Sequence, residues 1–133
     1  MTRFTRRFVA RAVDIDELGH VNNVVWVKWV QEVAVSHWEA VAPAEHQAVH
    51  VWVVTRHEID YRGNLGVGGV AIGETWVGAL RGARFDRHVR FTGDDGRVLV
   101  EALTTWALLD RATGRLLRVR PEFAAPFLGD AEG

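Results

Sequence analysis

The chain has 133 residues, a net charge of -1 and no cysteine, which suits one compact domain and excludes a disulfide scaffold, a thiolate zinc site and a cysteine nucleophile. The charge close to zero argues against bulk electrostatic binding to nucleic acid, and no apolar run approaches the roughly 20 residues that cross a bilayer. We therefore expect a single cytoplasmic domain over residues 1–133, with 129–133 as a flexible tail and with neither nucleic acid nor membrane as a partner.

The first half of the chain predicts a strand followed by one long helix. The strand covers residues 4–13, and between residues 24 and 42 polar side chains recur at the helical spacings of three and four. They form a narrow stripe of Lys28, Gln31, Glu32, Ser36, His37 and Glu39. The other sides carry mostly valine, tryptophan and alanine, so we expect the helix to be largely buried, because valine is a poor helix former. Asn22 or Asn23 is the expected cap at its start, and Pro43 marks its end.

A pattern of period two begins after the helix and predicts strands. We expect them at residues 49–62, 68–80, 84–91, 98–109 and 116–119, with a short helix opened by Pro121 at the end. The turns between these strands are too short for parallel crossovers, which need about a dozen residues or more, so the strands pair antiparallel. The sequence therefore predicts an α+β fold in which a curved antiparallel sheet of five or six strands wraps one long central helix. An open edge strand would invite pairing with a second copy.

The densest functional signal is the polar stretch at residues 14–23, Asp-Ile-Asp-Glu-Leu-Gly-His-Val-Asn-Asn, directly before the helix. Gly19 permits a tight turn, and the N–H groups and dipole of the helix start can stabilise an oxyanion or a polarised carbonyl. Asp16 and His20 lie within one loop of that helix end, and a carboxylate and an imidazole there indicate acyl transfer or hydrolysis. Turn formation and capping would explain each residue alone, but capping one helix does not need five polar groups and a glycine.

The pattern D-x-D-x-x-G-H-V-N-N-x-x-W-x-x-W-x-x-x-E at residues 14–32 resembles the signature of the hot-dog-fold acyl thioesterases. The similarity is to the 4-hydroxybenzoyl-CoA thioesterase-like family and, in the His-Val-Asn-Asn portion, to the acyl-carrier-protein thioesterases. Trp26 stands where the family usually has a tyrosine, so a ring hydroxyl is lost. The resemblance implies the hot-dog fold and hydrolysis of an acyl-CoA or acyl-carrier-protein thioester. It implies no cofactor and no metal, because coenzyme A is part of the substrate.

Three residues match catalytic positions of the resembled family. Asp16 matches the catalytic carboxylate, which acts either as a nucleophile on the thioester carbonyl or as a general base on water. The backbone N–H of Asn23 matches the group that polarises the carbonyl. His20 and the side chain of Asn23 match polar positions that orient water or substrate. The resemblance leaves the choice between nucleophile and general base open.

The resemblance also implies a substrate site built across the interface of a homodimer or homotetramer. The substrate-binding candidates are Gly19, Asn22, Trp26, Tyr61, Arg84 and Arg90. Trp26, Trp29 and Val30 would border an apolar acyl pocket, although plain core packing is the simpler interpretation of all three. Tyr61 is a candidate because the strand 59–61 belongs to the looser resemblance along the chain.

Arginines of the second half could bind the phosphates of coenzyme A. The segment 81–120 holds nine arginines against five acids, and arginine suits phosphate contact. Arg84, Arg87 and Arg90 are the candidates. Arg84 and Arg90 share one polar strand face, however, which a solvated surface explains more simply.

Two other functions fit parts of the sequence. A hot-dog hydratase or dehydratase would place a histidine in a proline-rich motif on the sheet, but the chain has only three prolines and none lies beside a histidine in that way. A non-catalytic acyl-thioester-binding protein would keep the same fold. Asp16 argues against it, because binding an anionic ligand gains nothing from a nearby carboxylate.

Overall fold

The computed structural model describes residues 3–128, so the predicted tail at 129–133 lies outside the described part of the chain. The strands are β1 (Phe4–Val9), β2 (His50–Tyr61), β3 (Val70–Arg81), β4 (Arg84–Gly93), β5 (Val98–Asp110) and β6 (Leu116–Leu117), and the helices are α1 (Asn23–Val41), α2 (Ala44–Val49) and α3 (Pro121–Leu128). The predicted long helix, the predicted strands and the short final helix are therefore confirmed, although β1 and β6 are shorter than predicted.

All strands belong to one antiparallel sheet in the order β1-β3-β4-β5-β2, with β6 paired to β5. The chain starts at one edge with β1, passes through α1 and returns at the other edge as β2. The strands β3, β4 and β5 then fill the space between the two edges. The predicted antiparallel pairing is confirmed, but β2 pairs with β5 and not with β3, the next strand along the chain, so only β3 to β6 form a meander. The edge strands of the main path are β1 and β2.

The core lies between α1 and the inner face of the sheet. The helix contributes the buried side chains Trp26, Trp29, Val30 and Val33. The sheet contributes Phe8, Ala71, Val89, Phe91, Val100 and Ala102. Several aromatic rings meet at about 5 to 6 Å, with edge-to-face geometry between the rings of Trp26 and Trp29 and between those of Phe8 and Phe91. This packing fixes the helix against the sheet.

The first strand is shorter than predicted, ending at Val9 rather than at residue 13. After it the backbone N–H of Arg11 donates to the Asp14 carboxylate at 2.9 Å, and the N–H of Asp14 donates to the Arg11 carbonyl at 2.9 Å. These bonds close a 3₁₀ turn, Ala12–Asp14. Local bonds between an aspartate side chain and the backbone compete with strand pairing, and here they end it.

The helix α1 differs from the prediction on two sides. His37 belongs to the buried face with 0% exposure rather than to the polar stripe. Conversely Val24 is 73% exposed and Val35 is 40% exposed, so part of the apolar surface is uncovered in a single chain. The helix ends at Val41, before Pro43, and α2 follows as an additional short helix that the sequence did not predict.

His37 forms a buried polar pair with Arg87 of β4. Arg87 lies on the inner side of its strand with Phe85 and Val89, and its Nη1 donates to Nδ1 of His37 at 2.9 Å and to Oγ1 of Thr75 at 3.0 Å. The burial of this side chain argues against the expected contact of Arg87 with a phosphate of coenzyme A. An arginine can only donate, so Nδ1 must accept and the proton of the neutral ring resides on Nε2.

Burial and the neighbouring Arg87 cation lower the pKa of His37 to about 4 from 6.5. Between these two pH values the unfolded chain takes up a proton that the folded protein does not. The free energy of unfolding should therefore fall as the pH falls from about 6.5 to about 4, by on the order of 1 to 3 kcal/mol from this residue.

Urea unfolding at about pH 7 and about pH 5 measures this loss of stability. In His37→Gln, the amide oxygen can still accept from Arg87 but does not titrate, so we expect a smaller loss than in the natural sequence. Equal losses in the two proteins would show that His37 does not cause the pH dependence.

Candidate active site

A tight turn between the 3₁₀ turn and α1 carries the predicted catalytic carboxylate. The N–H of Asp16 donates to the carbonyl of His20 at 2.8 Å, and the N–H of Gly19 donates to the carbonyl of Asp16 at 3.0 Å. Gly19 has a φ of 81°, a left-handed conformation that favours glycine. An isolated antiparallel β-bridge between Ile15 and Val21 closes the base of the turn. The prediction of a glycine turn beside Asp16 is confirmed.

The Asp16 carboxylate is held through one of its two oxygens. Its Oδ1 accepts the N–H of Leu18 at 2.9 Å and the N–H of His20 at 3.2 Å. Its Oδ2 has no hydrogen-bond partner within residues 3–128. The turn therefore orients the carboxylate and leaves one oxygen open to a reacting group.

The start of α1 leaves one backbone donor open next to this turn. Asn22 is the cap, since its side-chain oxygen accepts the N–H of Val24 at 2.9 Å. The Asn22 carbonyl accepts the N–H groups of Val25 and Trp26 at 2.9 and 3.3 Å. In the described part of the chain, the N–H of Asn23 has no acceptor. Because the helix dipole is positive at this end, that N–H is suited to a partly negative oxygen.

Asn64 fixes the segment that joins the turn to the helix. Its side chain accepts the indole N–H of Trp26 at 3.2 Å and donates to the carbonyl of Val21 at 3.2 Å. Val21 also donates its N–H to the carbonyl of Leu65 at 3.0 Å. Asn64 lies in the loop between the end of β2 at Tyr61 and the start of β3 at Val70. A buried tryptophan needs an acceptor for its indole N–H, but nothing in the sequence identifies which residue supplies it.

The structure brings Asp16, Gly19, His20, Asn22 and Asn23 together in one short stretch. The side chains of His20 and Asn23 are exposed. The three side chains predicted to border the acyl pocket are buried in the core: Trp26 and Val30 have 0% exposure and Trp29 has 5%. These rings position the helix and offer no open surface in a single chain.

Tyr61 lies at the end of β2, opposite Val100 and three positions before Asn64. It is 42% exposed, and partial burial raises the pKa of its phenol, so the hydroxyl stays protonated at neutral pH. In the described part of the chain, the Tyr61 hydroxyl forms no hydrogen bond to Asp16.

In a single protomer, the structure places Arg84 and Arg90 away from the turn that carries Asp16. Arg90 pairs with Glu101 at 3.5 Å, and its guanidinium lies 5.3 Å from the ring centre of Trp76. Arg84 begins β4 opposite Ala107, whereas the loop that carries Asn64 is bonded to Leu99 near the start of β5. Arg84 is therefore at the other end of the sheet from Asp16.

A cavity of about 160 Å³ lies between the second half of α1 and the sheet. Its wall is mostly valine, tryptophan and phenylalanine side chains from α1, β2, β3, β4, β5 and α3. Arg87 is the one basic residue of this wall. The predicted acyl-pocket residues Trp26, Trp29 and Val30 are not part of it, so the apolar space lies further along the helix than expected.

Neither a metal centre nor a membrane span is found in the described ranges. Residues 3–128 contain no group of three or more His, Asp or Glu side chains that could hold a metal ion. In the same part of the chain, no helix combines the length and the apolar character that crossing a bilayer requires.

Residues 1–127 match the model of the acyl-ACP thioesterase N-terminal domain. The chain belongs to this family. No curated protein sequence matches it significantly. The more specific resemblance to the 4-hydroxybenzoyl-CoA thioesterase-like family stays a prediction.

Solved structures of thioesterases share the architecture of this family member. A putative oleoyl thioesterase from Lactobacillus plantarum has a TM-score of 0.85 at 17% identity, over 97% of this chain and 52% of that one. A thioesterase from Thermus thermophilus, complexed with coenzyme A and Zn, has a TM-score of 0.83 at 20% identity, over 95% and 98%. The 12:0-ACP thioesterase from Umbellularia californica has a TM-score of 0.79 at 18% identity, over 96% and 51%.

At these identities the likeness shows the hot-dog fold, which confirms the predicted fold class. The chain spans about half the length of the Lactobacillus and Umbellularia structures and nearly all of the Thermus structure.

Asn64→Ala tests how the loop is held. The change leaves the buried indole N–H of Trp26 without an acceptor and the Val21 carbonyl without its donor, so we expect the free energy of unfolding to fall by about 2 kcal/mol. Asn23→Ala is the matched control, because that side chain is exposed and alanine is a better helix former than asparagine. Chemical denaturation of both variants measures the difference, and equal stabilities would show that Asn64 is not a structural anchor.

Proposed function

We propose that this protein hydrolyses acyl thioesters with Asp16 as the catalytic carboxylate. The proposal rests on one observation: a carboxylate oxygen and a backbone N–H that have no hydrogen-bond partner within residues 3–128 lie within eight residues of each other in the chain. Asp16 keeps one carboxylate oxygen free while the turn orients the other, and Asn23 keeps its N–H free at the positive end of α1. Membership in a thioesterase family supports the same reaction.

The reaction needs one group that stabilises negative charge on the carbonyl oxygen. It also needs a group that either attacks the carbonyl carbon or activates a water molecule. The Asn23 N–H would donate to the thioester carbonyl oxygen and stabilise the negative charge that develops there. Asp16 would either attack the carbonyl carbon, forming an anhydride that water then cleaves, or take a proton from water as water attacks. Both routes release a carboxylic acid and a thiol. His20 and the Asn23 side chain would orient the water or the substrate.

The substrate would be an acyl group on coenzyme A or on an acyl carrier protein. The matched family is named for acyl-ACP thioesterases, and one structure of the same fold was solved with coenzyme A. Coenzyme A would be part of the substrate, so the proposal includes no cofactor. Gly19 and Asn22 belong to the Asp16 turn and the helix cap, and Tyr61 would contact the substrate from the end of β2. Contacts of Arg84 or Arg90 with the phosphates would have to come from a second copy of the chain.

A second copy would pair with the free edge of β2 in a homodimer, alone or within a homotetramer. β2 has twelve residues and pairs only with β5 in the part of the chain that the structure describes. A long open edge of this kind favours pairing with another strand. Val53 of β2 and Val24 and Val35 of α1 are exposed apolar side chains that a second copy could cover.

Asp16→Asn should lower kcat/KM for thioester hydrolysis by at least about 100-fold. The amide oxygen can still accept the N–H groups of Leu18 and His20, so the turn and the melting temperature should be preserved. Glu17→Gln is the control, because it removes an exposed carboxylate from the same turn. The measurement is thiol release from a panel of short, long and aromatic acyl-CoA and acyl-carrier-protein thioesters.

Full activity of Asp16→Asn would show that Asp16 is not the catalytic carboxylate. Tight binding of coenzyme A without turnover of any thioester in the panel would favour a non-catalytic acyl-thioester-binding protein instead.

The oligomeric state tests the proposed use of the β2 edge. Sedimentation of the natural sequence should give a mass of two or four times 14.9 kDa. Val53→Lys would place a charge beside the edge and shift the mass toward that of the single chain. A monomer at all protein concentrations in the natural sequence would contradict the assembly.

A further inference from the structure

Arg87 is a buried cation whose hydrogen-bond partners are all neutral. Its side chain bonds to Nδ1 of His37 and Oγ1 of Thr75, and its guanidinium carbon lies 5.3 Å from the ring centre of Phe127. No acidic side chain of residues 3–128 forms an ion pair with it. The residue is only 7% exposed. Arg87 is thus a buried charge with no counter-charge in the described part of the chain.

Such an arrangement is costly in a free protein. Burying an ionised group without a charge partner costs far more than burying a paired one. Burial lowers the pKa of Arg87 to about 10, so the guanidinium remains charged at neutral pH. His37 does not share the charge, because its own pKa is lowered to about 4 and its ring is neutral. Something that binds beside Arg87 could supply the missing negative charge.

Arg87 lies on the wall of the 160 Å³ cavity. The wall includes one acidic residue, Asp86, but the guanidinium of Arg81 binds its carboxylate at 2.6 and 2.9 Å and the hydroxyl of Thr105 donates to it at 3.0 Å. The remaining wall is apolar. A dry cavity of about 150 Å³ is known to accept benzene, so this one has room for about six carbon atoms.

We infer that this cavity binds an apolar group of about six carbons that ends in a carboxylate, with the carboxylate on the guanidinium of Arg87. The planar guanidinium matches a carboxylate through paired N–H donors. One cation balances the single charge of a carboxylate, whereas a phosphate monoester carries up to two charges and would leave one uncompensated in an apolar space.

If the proposed thioester hydrolysis holds, on which this extension rests, the carboxylate marks a substrate class. That class is acyl thioesters whose acyl group carries a second carboxylate at its far end, and Arg87 is then the residue that determines specificity. The same chemistry could also come from a free carboxylic acid, such as a hydrolysis product. The two sources are separated by experiment.

The first arm of the test uses two six-carbon probes, hexanoate and hexan-1-ol. Trp38, Trp52 and Trp106 line the cavity, so tryptophan fluorescence reports occupancy, and calorimetry gives the dissociation constants. We expect hexanoate to bind at least about tenfold more tightly than hexan-1-ol, and Arg87→Met to abolish this preference. Arg97→Met, which removes an exposed arginine, is the control. Equal binding of the two probes, or a preference that survives in Arg87→Met, would overturn the inference.

Arg87→Lys covers the case in which Arg87→Met does not fold. It keeps the charge but not the planar fork, so the preference for hexanoate should shrink without vanishing. The comparison of hexanoate with hexan-1-ol in the natural sequence needs no variant at all.

The second arm compares two acyl-CoA thioesters that differ only in a terminal carboxylate, hexadecanedioyl-CoA and hexadecanoyl-CoA, because a six-carbon chain is too short to join the helix start to Arg87. A higher kcat/KM for the carboxylated member of the pair, lost in Arg87→Met, identifies the far end of the acyl group as the source. Arg87-dependent binding of hexanoate without such a preference identifies a free acid. If no thioester is hydrolysed, the proposed function fails, while the first arm still decides the binding inference.

Discussion

The packing of α1 on the inner face of the sheet is the constraint on which the rest of the structure depends. The helix contains seven valines, each of which disfavours a helix by at most about 0.7 kcal/mol relative to alanine. Full burial of one large apolar side chain contributes about 1.5 to 3 kcal/mol. The buried tryptophans and valines of α1 therefore outweigh its poor helix propensity. The helix exists because the sheet covers it, so its direction and its first residue are set by the core.

The candidate active site inherits its geometry from this core. The ring of Trp26 packs inside, but its indole N–H ends on Asn64, which in turn holds the carbonyl of Val21. Asp16 and Asn23 flank the segment that these bonds fix. The loop at 63–69 also comes close to the turn, since a side chain at Gly66 would lie 3.6 Å from the carbonyl of Gly19. The reactive groups sit on a loop, but that loop is bonded on both sides to rigid elements.

The features predicted from the sequence are those that depend on near neighbours in the chain. The cap at Asn22, the turn at Gly19 and the strand periods each follow from contacts within a few residues. Asn64 and Trp26 are 38 positions apart, and His37 and Arg87 are 50 apart, so no local pattern could pair them. Arg87 did carry a signal, because period two places it on the same strand face as Phe85 and Val89. A charge at an inward position indicates a special role more strongly than membership in a basic segment does.

A partial positive charge lies at the start of α1 and a full one, on Arg87 of β4, lies beside its second half, and the two are suited to different tasks. At the start, a single N–H and the helix dipole give a partial charge beside solvent, which is suited to an oxygen that becomes negative only during reaction. Beside the second half, Arg87 gives a full charge in a mostly apolar cavity, which discriminates among ligands that are already charged. A helix rises about 1.5 Å per residue, so Asn23 and His37 are about 21 Å apart along the axis. At that distance a change in the cavity can alter which ligand binds without moving the groups at the helix start, so selection and reaction can vary independently along one helix.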